Sequence, residues 1–384
     1  MMMSGSYRFY ILIFLLFINF LYFIYGQESR FTINSPRESA LGGAHAALTD
    51  DFSTIFNNPA GFRGVNSDFT VSGMTFKVTG PVSTMMLAAQ GGDLLQIIGD
   101  MGSTNIGLDI IGPFSMGRIK NNNAWGVYNV IDANVFIPSL TQDAVISGRF
   151  DLGGVFGYSF GIDFIDSNNQ MNFGFLTKLF FRTEMNIEKS FIDIMSSLSD
   201  IEALFSPSTL PLDMGFGVGI DIGIKYIWND VLSIALAVRD LYTPLFMFRF
   251  NSLTSLVDGE APQFEYVNLP QDYSIGILYE PDISFFNGLL ANIKIMFDYN
   301  DIFDFALNHE NARHILLHFG LGGEFTLFDI LSLRFGFYEG LPAFGAGLDL
   351  HMFKFNFAMF GRELSTQPGL MSVYNLMFGI DFSY

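Results

Sequence analysis

Residues 213–227, "DMGFGVGIDIGIKYI", alternate strictly between two kinds of side chain. Successive side chains of a β-strand point to opposite faces, so one face of this stretch carries Phe, Val, Ile and Tyr, and the other carries four Gly, one Asp and one Lys. A soluble β-sandwich would bury the apolar face, but it would rarely fill the opposite face with glycine. The pattern therefore favours a membrane barrel strand, with one face in lipid and a small, polar face toward a lumen.

The composition also points to a membrane. Half of the 384 residues are hydrophobic and only 15% are charged, whereas soluble domains carry about a quarter charged residues. The chain has no cysteine, which excludes disulfides, thiolate metal sites, a cysteine nucleophile and a lipidated N-terminal cysteine. Its formal net charge of −19 argues against a nucleic-acid partner, because phosphate binding needs a basic surface.

The N-terminus carries a predicted targeting segment. Arg8 precedes a continuous apolar run that ends at Gly26, so we place a secretory signal peptide at residues 1–26. An uncleaved anchor helix is the alternative, since the apolar run is long. No later stretch stays apolar for the ~20 residues that a spanning helix needs. An exported, apolar chain of this kind predicts a closed β-barrel in the outer membrane, because only helices and closed barrels satisfy their backbone hydrogen bonds in lipid.

The chain after residue 63 divides into 14 strand-length segments, an even number as single-chain bacterial barrels require. Short turns such as 120–123 alternate with longer connections such as 188–211, and residues 80–90 are a candidate additional strand. The predicted fold class is an all-β, transmembrane antiparallel β-barrel of about 14 strands, residues 64–384. The predicted strands are 64–79, 105–118, 124–138, 149–164, 171–187, 212–228, 231–247, 264–280, 288–301, 312–327, 330–339, 342–351, 353–362 and 371–384.

The last predicted strand ends on an aromatic residue. In "VYNLMFGIDFSY", large apolar residues alternate with smaller or polar ones up to Tyr384. A terminal aromatic residue on an alternating strand resembles the assembly signal of bacterial outer-membrane barrels. The predicted partners are therefore outer-membrane lipid and, through Tyr384, the barrel-assembly machinery.

Two predicted outside loops, residues 92–101 and 190–205, show helical spacing of apolar residues, and Ser190 is a candidate cap for the second. Their apolar faces either pack onto the barrel rim or line a groove for a hydrophobic ligand. The candidate groove residues are Leu94, Leu95, Ile98, Phe191, Ile194, Met195 and Leu198.

The sequence contains no HExxH, GxSxG or Gly-Lys-Ser/Thr phosphate-loop motif. His314 and His318 are four residues apart, but the alternation around them predicts a strand. In a strand they would lie about 13 Å apart, too far to share a metal ion. The sequence therefore predicts no enzyme, no cofactor and no metal site, and it predicts that both histidines are polar lumen residues.

Seven charged residues fall on predicted lumen-facing positions. A basic side chain in lipid would cost about 2–4 kcal/mol near the membrane midplane, so the pattern turns these charges inward. They either solvate the lumen and bind a plug or contact a substrate directly. The seven are Lys178, Arg182, Asp221, Lys225, Glu324, Arg334 and Asp381.

Residues 39–62, "SALGGAHAALTDDFSTIFNNPAGF", lack the alternation of the strands. They are too apolar for a disordered tail. Asp50 or Asp51 is a candidate cap for a helical turn that runs to Phe56, and Pro59 would end that turn. A compact segment that leads directly into the first strand predicts a hatch, or plug (residues 27–63), folded back inside the lumen.

The same segment resembles a known family. In FadL/TodX-like outer-membrane transporters of hydrophobic compounds, and in the related PorV-like proteins, a small-residue, glycine-rich segment precedes an acidic pair and an Asn-Pro-Ala motif. Over residues 35–62 the resemblance is one of specific residues. Beyond them it is limited to the strand count, the loop helices and the aromatic C-terminus. The matching residues are Gly42, Gly43, Asp50, Asp51, Asn58, Pro59 and Ala60.

The resemblance implies a 14-stranded barrel that an N-terminal hatch blocks. It further implies that hydrophobic ligands, typically long-chain fatty acids or aromatic hydrocarbons, are captured in an outside groove and leave sideways through a gap at a kinked strand. Gly112-Pro113 is a candidate kink, because proline cannot complete a regular ladder. An ordinary bulge is the alternative.

Passive uptake of a hydrophobic small molecule is the leading function predicted from the sequence. A PorV-like role in the export or attachment of surface proteins and a general porin are the alternatives.

Overall fold

The outer wall of the molecule is one antiparallel sheet that closes on itself. The structure is a computed structural model, and it describes residues 33–65, 68–80, 104–137, 143–163, 169–190, 206–281, 290–308 and 311–383. The strand segments are β1 (Asp68–Thr79), β2 (Thr104–Lys120), β3 (Asn123–Ile137), β4 (Asp143–Asp163), β5 (Asn169–Ser190), β6 (Leu212–Trp228), β7 (Leu232–Tyr242), β8 (Pro244–Phe250), β9 (Gln263–Asn268), β10 (Asp272–Tyr279), β11 (Leu290–Tyr299), β12 (Phe319–Leu327), β13 (Leu331–Tyr338), β14 (Leu341–Asp349), β15 (Phe353–Glu363) and β16 (Ser372–Ser383).

Two of the barrel strands are bent, and each is made of two segments. Thr243 separates β7 from β8, and residues 269–271 separate β9 from β10. β7 pairs with β10 and β8 pairs with β9, so the two bent strands remain side by side. The sixteen segments therefore form a ring of fourteen strands, which β1 closes by pairing with β16. The predicted strand number and antiparallel barrel are confirmed.

Within the described residues, the helical elements are short. They are the helices α1 (Pro36–Ala40), α2 (Thr54–Asn57), α3 (Leu253–Val257) and α4 (Asp304–Leu307) and the 3₁₀ turns Pro59–Arg63 and Ile315–His318. Within the ranges that the structure describes, no helix is both long and apolar enough to cross a membrane.

The wall has an apolar outer face and a polar inner face, as its alternation predicts. On β6, the side chains of Val218, Ile220 and Ile222 are exposed on the outside. Between them, Gly219 and Asp221 face inward and are buried. A closed ring with this outer surface is the form of a transmembrane barrel, because the strands are hydrogen-bonded around the ring and the lipid-facing side chains are apolar.

The two ends of the barrel differ in their connections. At one end, here called the short-turn side, residues 121–122, 229–231, 328–330 and 350–352 connect the strands. The opposite end, here called the long-loop side, carries the long connections, including residues 300–318. The turn Glu339–Gly340 is an exception, because it is short and lies on the long-loop side.

Four of the predicted strands were wrong in detail. β4 begins at Asp143 rather than at residue 149, so the connection before it is shorter than predicted. The predicted strands 231–247 and 264–280 are each interrupted by a bend. Residues 312–327 do not form one strand, because Ile315–His318 form a 3₁₀ turn and β12 begins only at Phe319.

The same error misplaced the two histidines. His314 precedes the 3₁₀ turn, and its ring Nδ1 accepts a hydrogen bond from the backbone N–H of Leu316. His318 is buried in the connection between β11 and β12, and its ring nitrogens lie 3.0 Å from the carbonyl oxygen of Asn300 and 3.2 Å from the Asp304 carboxylate. Neither residue is a lumen-facing strand residue, because tertiary contacts of this loop override the local alternation.

Candidate functional site

The described part of the plug, residues 33–63, lies inside the ring of strands. A Cβ atom added at wall glycines of β2, β5, β10 and β12 would meet plug atoms, which shows how closely the plug approaches different sectors of the wall. The predicted position of the plug is therefore confirmed. Residues 1–32, which include the predicted signal peptide, lie outside the described residues.

The plug begins with a short helix that sequence reasoning missed. Ser35 caps α1, its hydroxyl accepts a hydrogen bond from the backbone N–H of Glu38, and the Glu38 carboxylate accepts one from the backbone N–H of Ser35. Pro36 occupies the first turn, where its missing N–H costs nothing. This Ser-Pro-Arg-Glu capping box was visible in the sequence and would have predicted the helix.

The glycine pair of the plug packs against the wall. Gly42 and Gly43 both have φ +72°, a conformation that other residues rarely adopt. Gly42 lies so close to β12 and β13 that a Cβ atom would overlap the carbonyl oxygens of Leu321 and Phe337. Glycine is therefore required here both by conformation and by space.

The Asn-Pro-Ala motif docks on β5 and β6. The Asn58 side chain caps the 3₁₀ turn by accepting a hydrogen bond from the N–H of Ala60, and its amide donates to the carbonyl oxygen of Ala46 at 2.7 Å. Gly174 of β5 and Gly223 of β6 pair directly with each other and form a notch for the motif. Side chains at these two wall positions would overlap Pro59 and Asn58.

The two aspartates of the acidic pair form ion pairs with Arg37, and neither is the cap residue of α2. The Arg37 guanidinium lies 2.7 Å from a carboxylate oxygen of Asp50 and 2.7 Å from one of Asp51. It also makes a two-point contact with Glu324 of β12, at 2.6 and 2.8 Å. Asp50 forms a further ion pair with Lys294 of β11. Asp51 accepts hydrogen bonds from Ser53, which itself occupies the cap position of α2, so the prediction that Asp50 or Asp51 caps this helical turn was wrong.

Two more wall charges bind the plug backbone. The Lys225 ammonium donates to the carbonyl oxygen of Ala47 at 3.0 Å and to the hydroxyl of Thr49 at 2.7 Å. The Asp298 carboxylate of β11 accepts hydrogen bonds from the N–H groups of His45 and Ala46, each at 2.8 Å. Of the inward charges that the sequence predicted, Lys225 and Glu324 thus hold the plug.

The ion pairs and the burial shift the pKa values of plug residues. The cations Arg37 and Lys294 outweigh burial and lower the pKa of Asp50 far below its ordinary value. Burial raises the pKa of Glu38. Burial, assisted by the charge of Arg239, lowers the pKa of His45 from 6.5 to about 4, so this imidazole is neutral at physiological pH.

Two cavities lined by described residues lie on opposite sides of the plug. The larger one, here called the chamber, has a volume of about 680 Å³ and opens toward the long-loop side. The smaller one, of about 260 Å³, lies toward the short-turn side beside Arg37 and Lys294. Much of the chamber wall is charged and paired within the wall, as in the ion pairs Lys77–Asp109 and Arg239–Asp272.

One sector of the chamber wall, here called the apolar sector, carries four apolar side chains, although β1, β2 and β3 also bring Lys77, Asp109 and Asp132 to the chamber. Ile111, Val130, Phe360 and Met377 line it, and all four are buried. They come from β2, β3, β15 and β16, which lie on the same side of the ring as β1. These four side chains give an apolar molecule in the chamber a surface that it can contact.

The wall ladder is irregular in this sector. Pairing between β2 and β3 shifts between Ile111 and Met116, and pairing between β1 and β2 shifts around Gly73. The amide of Asn129 replaces lost ladder contacts, because it donates to the carbonyl oxygen of Gly112 at 2.9 Å and accepts from the N–H of Phe114 at 3.0 Å. The candidate kink residues Gly112 and Pro113 thus lie in a bulge, here called the β2 bulge (residues 112–115), which directly follows the apolar residue Ile111.

A second interruption of the wall lies between β6 and β7 and is sealed by charge. The register shifts between Ile220 and Ile222, opposite the bend of the β7–β8 strand. The buried Lys178 ammonium lies 2.8 Å from Asp221 and 2.7 Å from Asp240. Opening the wall here would separate buried ions, whereas the side chains that hold the β2 bulge, Asn129 and Ser72, are neutral.

The remaining predicted site residues lie outside the described residues. These are all of the candidate groove residues, which fall in 81–103 and 191–205, and the terminal aromatic residue Tyr384. The candidate additional strand 80–90 also falls there, apart from Gly80. Sequence reasoning missed Arg37, Asn129 and Asp298, because their roles depend on partners that are distant in the chain.

No family model and no curated protein matches the sequence. Solved structures do resemble the fold. The toluene transporter TodX of Pseudomonas putida is 11% identical, with a TM-score of 0.49, and the alignment covers 93% of this chain and 99% of that one. A FadL homologue of Pseudomonas aeruginosa is 11% identical, with a TM-score of 0.46 and coverage of 93% and 99%. The CymD monoaromatic hydrocarbon channel is 11% identical, with a TM-score of 0.45 and coverage of 91% and 96%.

These are the kinds of protein that residues 35–62 resemble. The likeness spans nearly the whole length of both chains. The barrel itself, however, is established by the strand pairing described above and does not depend on these comparisons.

Proposed function

We propose that the chain is an outer-membrane channel for passive uptake of hydrophobic small molecules, such as long-chain fatty acids, which leave the chamber sideways through the β2 bulge. The observation that carries the proposal is the position of this bulge. It interrupts the ladder immediately beside the apolar sector of the chamber, at Ile111. The names of TodX, a toluene transporter, and CymD, a monoaromatic hydrocarbon channel, agree with a hydrophobic ligand.

The plug supports a sideways route rather than an axial one. Arg37, Lys225 and Asp298 fix it to the wall through buried polar contacts, so emptying the lumen would break several of them at once. At the β2 bulge, opening would break neutral side-chain hydrogen bonds instead: the two of the Asn129 amide and the one from the Ser72 hydroxyl to the carbonyl oxygen of Pro113. Each neutral hydrogen bond contributes about 0.5–1.5 kcal/mol net, whereas removing one partner of a buried ion pair costs about 3–5 kcal/mol.

A reversible disulfide across the bulge tests this route. A Cβ atom built on Gly73 of β1 lies 3.7 Å from the Cβ of Ser115 of β2, within the range that a disulfide requires. The chain has no cysteine of its own, so Gly73→Cys/Ser115→Cys introduces one defined bond. We expect the oxidised variant to lose most uptake of a labelled long-chain fatty acid into cells, and a reducing agent to restore it.

The matched control joins the same two strands away from the bulge. Thr79 and Gly107 are paired residues, and a Cβ built on Gly107 lies 3.3 Å from that of Thr79. The oxidised Thr79→Cys/Gly107→Cys variant should keep its uptake. Equal uptake by the oxidised and reduced bulge variants would exclude the sideways route.

The two alternatives give different results in the same preparations. A general porin should show a large, stable single-channel conductance in planar bilayers, whereas a plugged barrel should show little. A PorV-like role predicts that deletion of the protein leaves secreted cargo in the periplasm, with fatty-acid uptake unchanged. The proposed function is supported if the protein takes up a fatty acid, shows no large conductance, and leaves no cargo in the periplasm when it is deleted.

A further inference from the structure

The plug contacts the wall in two chemically different ways. Its polar anchors lie on β6 and β11–β12, where Lys225, Asp298 and Glu324 bind it. On β2 and β3 it presents instead the apolar side chains of Phe52, Ile55 and Phe56. This second contact surface is here called the apolar seam.

The wall side of the seam is built from cross-strand pairs of β2 and β3. The pairs are Ile111–Val130, Gly117–Gly126 and Ile119–Ala124, listed from the chamber toward the short-turn side. Tyr128 follows Val130 on the same inward face. These side chains and glycines make one continuous apolar column past the plug.

The glycine pair forms a notch halfway along the column. A Cβ atom at Gly117 would lie 2.9 Å from the ring of Phe52, and one at Gly126 would lie 3.8 Å from the side chain of Ile55. The notch is therefore filled by plug side chains together with Val155 of β4, whose side chain lies 3.4 Å from the Cβ position at Gly126. Phe56 packs edge-on against Phe52 at 6.2 Å and against Tyr128 at 5.6 Å, which closes the column above the notch.

We infer that the apolar seam is an inner branch of the transport path, gated by the rings of Phe52 and Phe56. Rotation of these rings would vacate a slot one aromatic ring thick, lined by the glycine pair and leading from the apolar sector of the chamber toward the short-turn side. Ring rotation breaks none of the ion pairs that hold the plug, so the plug backbone stays in place. The slot takes apolar molecules no thicker than a phenyl ring.

This inference rests on the proposed function, because it starts from the same apolar sector of the chamber. It adds a second outlet from the chamber. Gly117 and Gly126 set the width of this outlet and thereby the thickness of the molecules that can pass. Branched or polycyclic apolar molecules would be confined to the β2 bulge.

Cysteine labelling tests the seam directly. Gly126→Cys places a thiol in the notch, where the new Cβ meets its neighbours at ordinary contact distances of 3.4 Å or more. Ala343→Cys is the matched control, because Ala343 is equally buried and its strand, β14, packs against α1 on another side of the plug. The full-length protein in nanodiscs is treated with N-phenylmaleimide, whose ring has the thickness of the proposed slot.

We expect Gly126→Cys to react faster than Ala343→Cys by on the order of tenfold, because labelling follows the local opening of the structure. Adding Phe52→Ala should accelerate labelling at position 126 and leave position 343 unchanged. A sulfonated, bulky maleimide should label neither site. Equal labelling rates at the two positions, or a labelling rate at position 126 that Phe52→Ala does not change, would show that the seam is not a transport path.

The outcomes separate the two proposals. If the bulge disulfide blocks uptake and Gly126→Cys stays unlabelled, the sideways route stands and the seam is wrong. If Gly126→Cys is labelled as expected but no variant takes up a fatty acid, the seam exists and the proposed function fails. If both hold, Gly126→Leu should remove the uptake that remains in the oxidised bulge variant.

Discussion

At the scale of single residues, His45 makes the plug sensitive to pH. Burial lowers the pKa of its imidazole from 6.5 to about 4. Between these two values the unfolded plug binds a proton that the folded plug does not bind, so plug stability rises with pH across this interval. We expect His45→Gln to remove up to about 3 kcal/mol of this dependence, measured by hydrogen exchange of plug amides at pH 4.5 and 7.

Glu38 provides the control of opposite sign. Burial raises the pKa of its carboxyl above 4.5, so its ionisation destabilises the folded plug as the pH rises through that value. Glu38→Gln should therefore leave the part of the profile due to His45 intact. An unchanged pH profile in His45→Gln would contradict the assignment.

Arg37 is the residue on which the acidic pair of the plug depends. Arg37→Met keeps the side-chain length but leaves Asp50, Asp51 and Glu324 without this cation. We expect docking of the plug to weaken by about 3–5 kcal/mol, seen as faster exchange of plug amides and as conductance bursts in planar bilayers. Arg63→Met, at the other end of the plug, is the matched control and should have a smaller effect. Equal exchange in the wild type and Arg37→Met would show that the pairs do not hold the plug.

Sequence reasoning reached one half of this contact. The alternation of apolar and polar residues placed Glu324 inside the barrel, because a strand repeats every two residues. It did not find Arg37, since the two residues are 287 positions apart and only the closed barrel brings them together. The same limit applies to Asn129, whose role follows from the irregular ladder of a neighbouring strand.

At the scale of elements, a pair of wall glycines receives the Asn-Pro-Ala motif. Gly174→Val would overlap the Pro59 carbonyl, so the motif cannot dock while the ring of strands can still close. We expect a folded barrel with raised ion conductance. Gly148→Val on β4 is the matched control, because a Cβ there meets only the flexible end of Met185, at 3.4 Å. If Gly174→Val showed no more ion conductance than the wild type, Gly174 would not be needed for docking of the Asn-Pro-Ala motif.

The strands were predictable to the extent that their pattern is local. Period-two alternation identified fourteen strands, because each crosses lipid and must show apolar side chains on its outer face. The bend between β7 and β8 was not predictable from its own residues. Asp240 there has φ +53°, and it is held by Lys178 and Asp221 on other strands, which local sequence does not reveal.

At the scale of the whole molecule, the plug is a part of the fold that the ring does not need in order to close. Strand pairing around the ring is complete without residues 39–62, since these residues belong to no ladder. Deleting them should leave a barrel of the same strand number with a large ion conductance. The measurement is single-channel recording beside circular dichroism. If conductance stayed at the wild-type level, the blocking role of these residues would be wrong.

The height of the wall also varies around the ring. β5 has 22 residues, whereas β13 has 8. At a rise of about 3.3 Å per residue and a tilt of about 40°, β5 reaches roughly 55 Å along the membrane normal and β13 roughly 20 Å, against an apolar band about 25 Å tall in such barrels. We therefore expect lipids beside β13 to shorten or tilt. On this expectation the bilayer is thinner on that flank than beside β5, and short-chain lipids should gather beside β13 and β14.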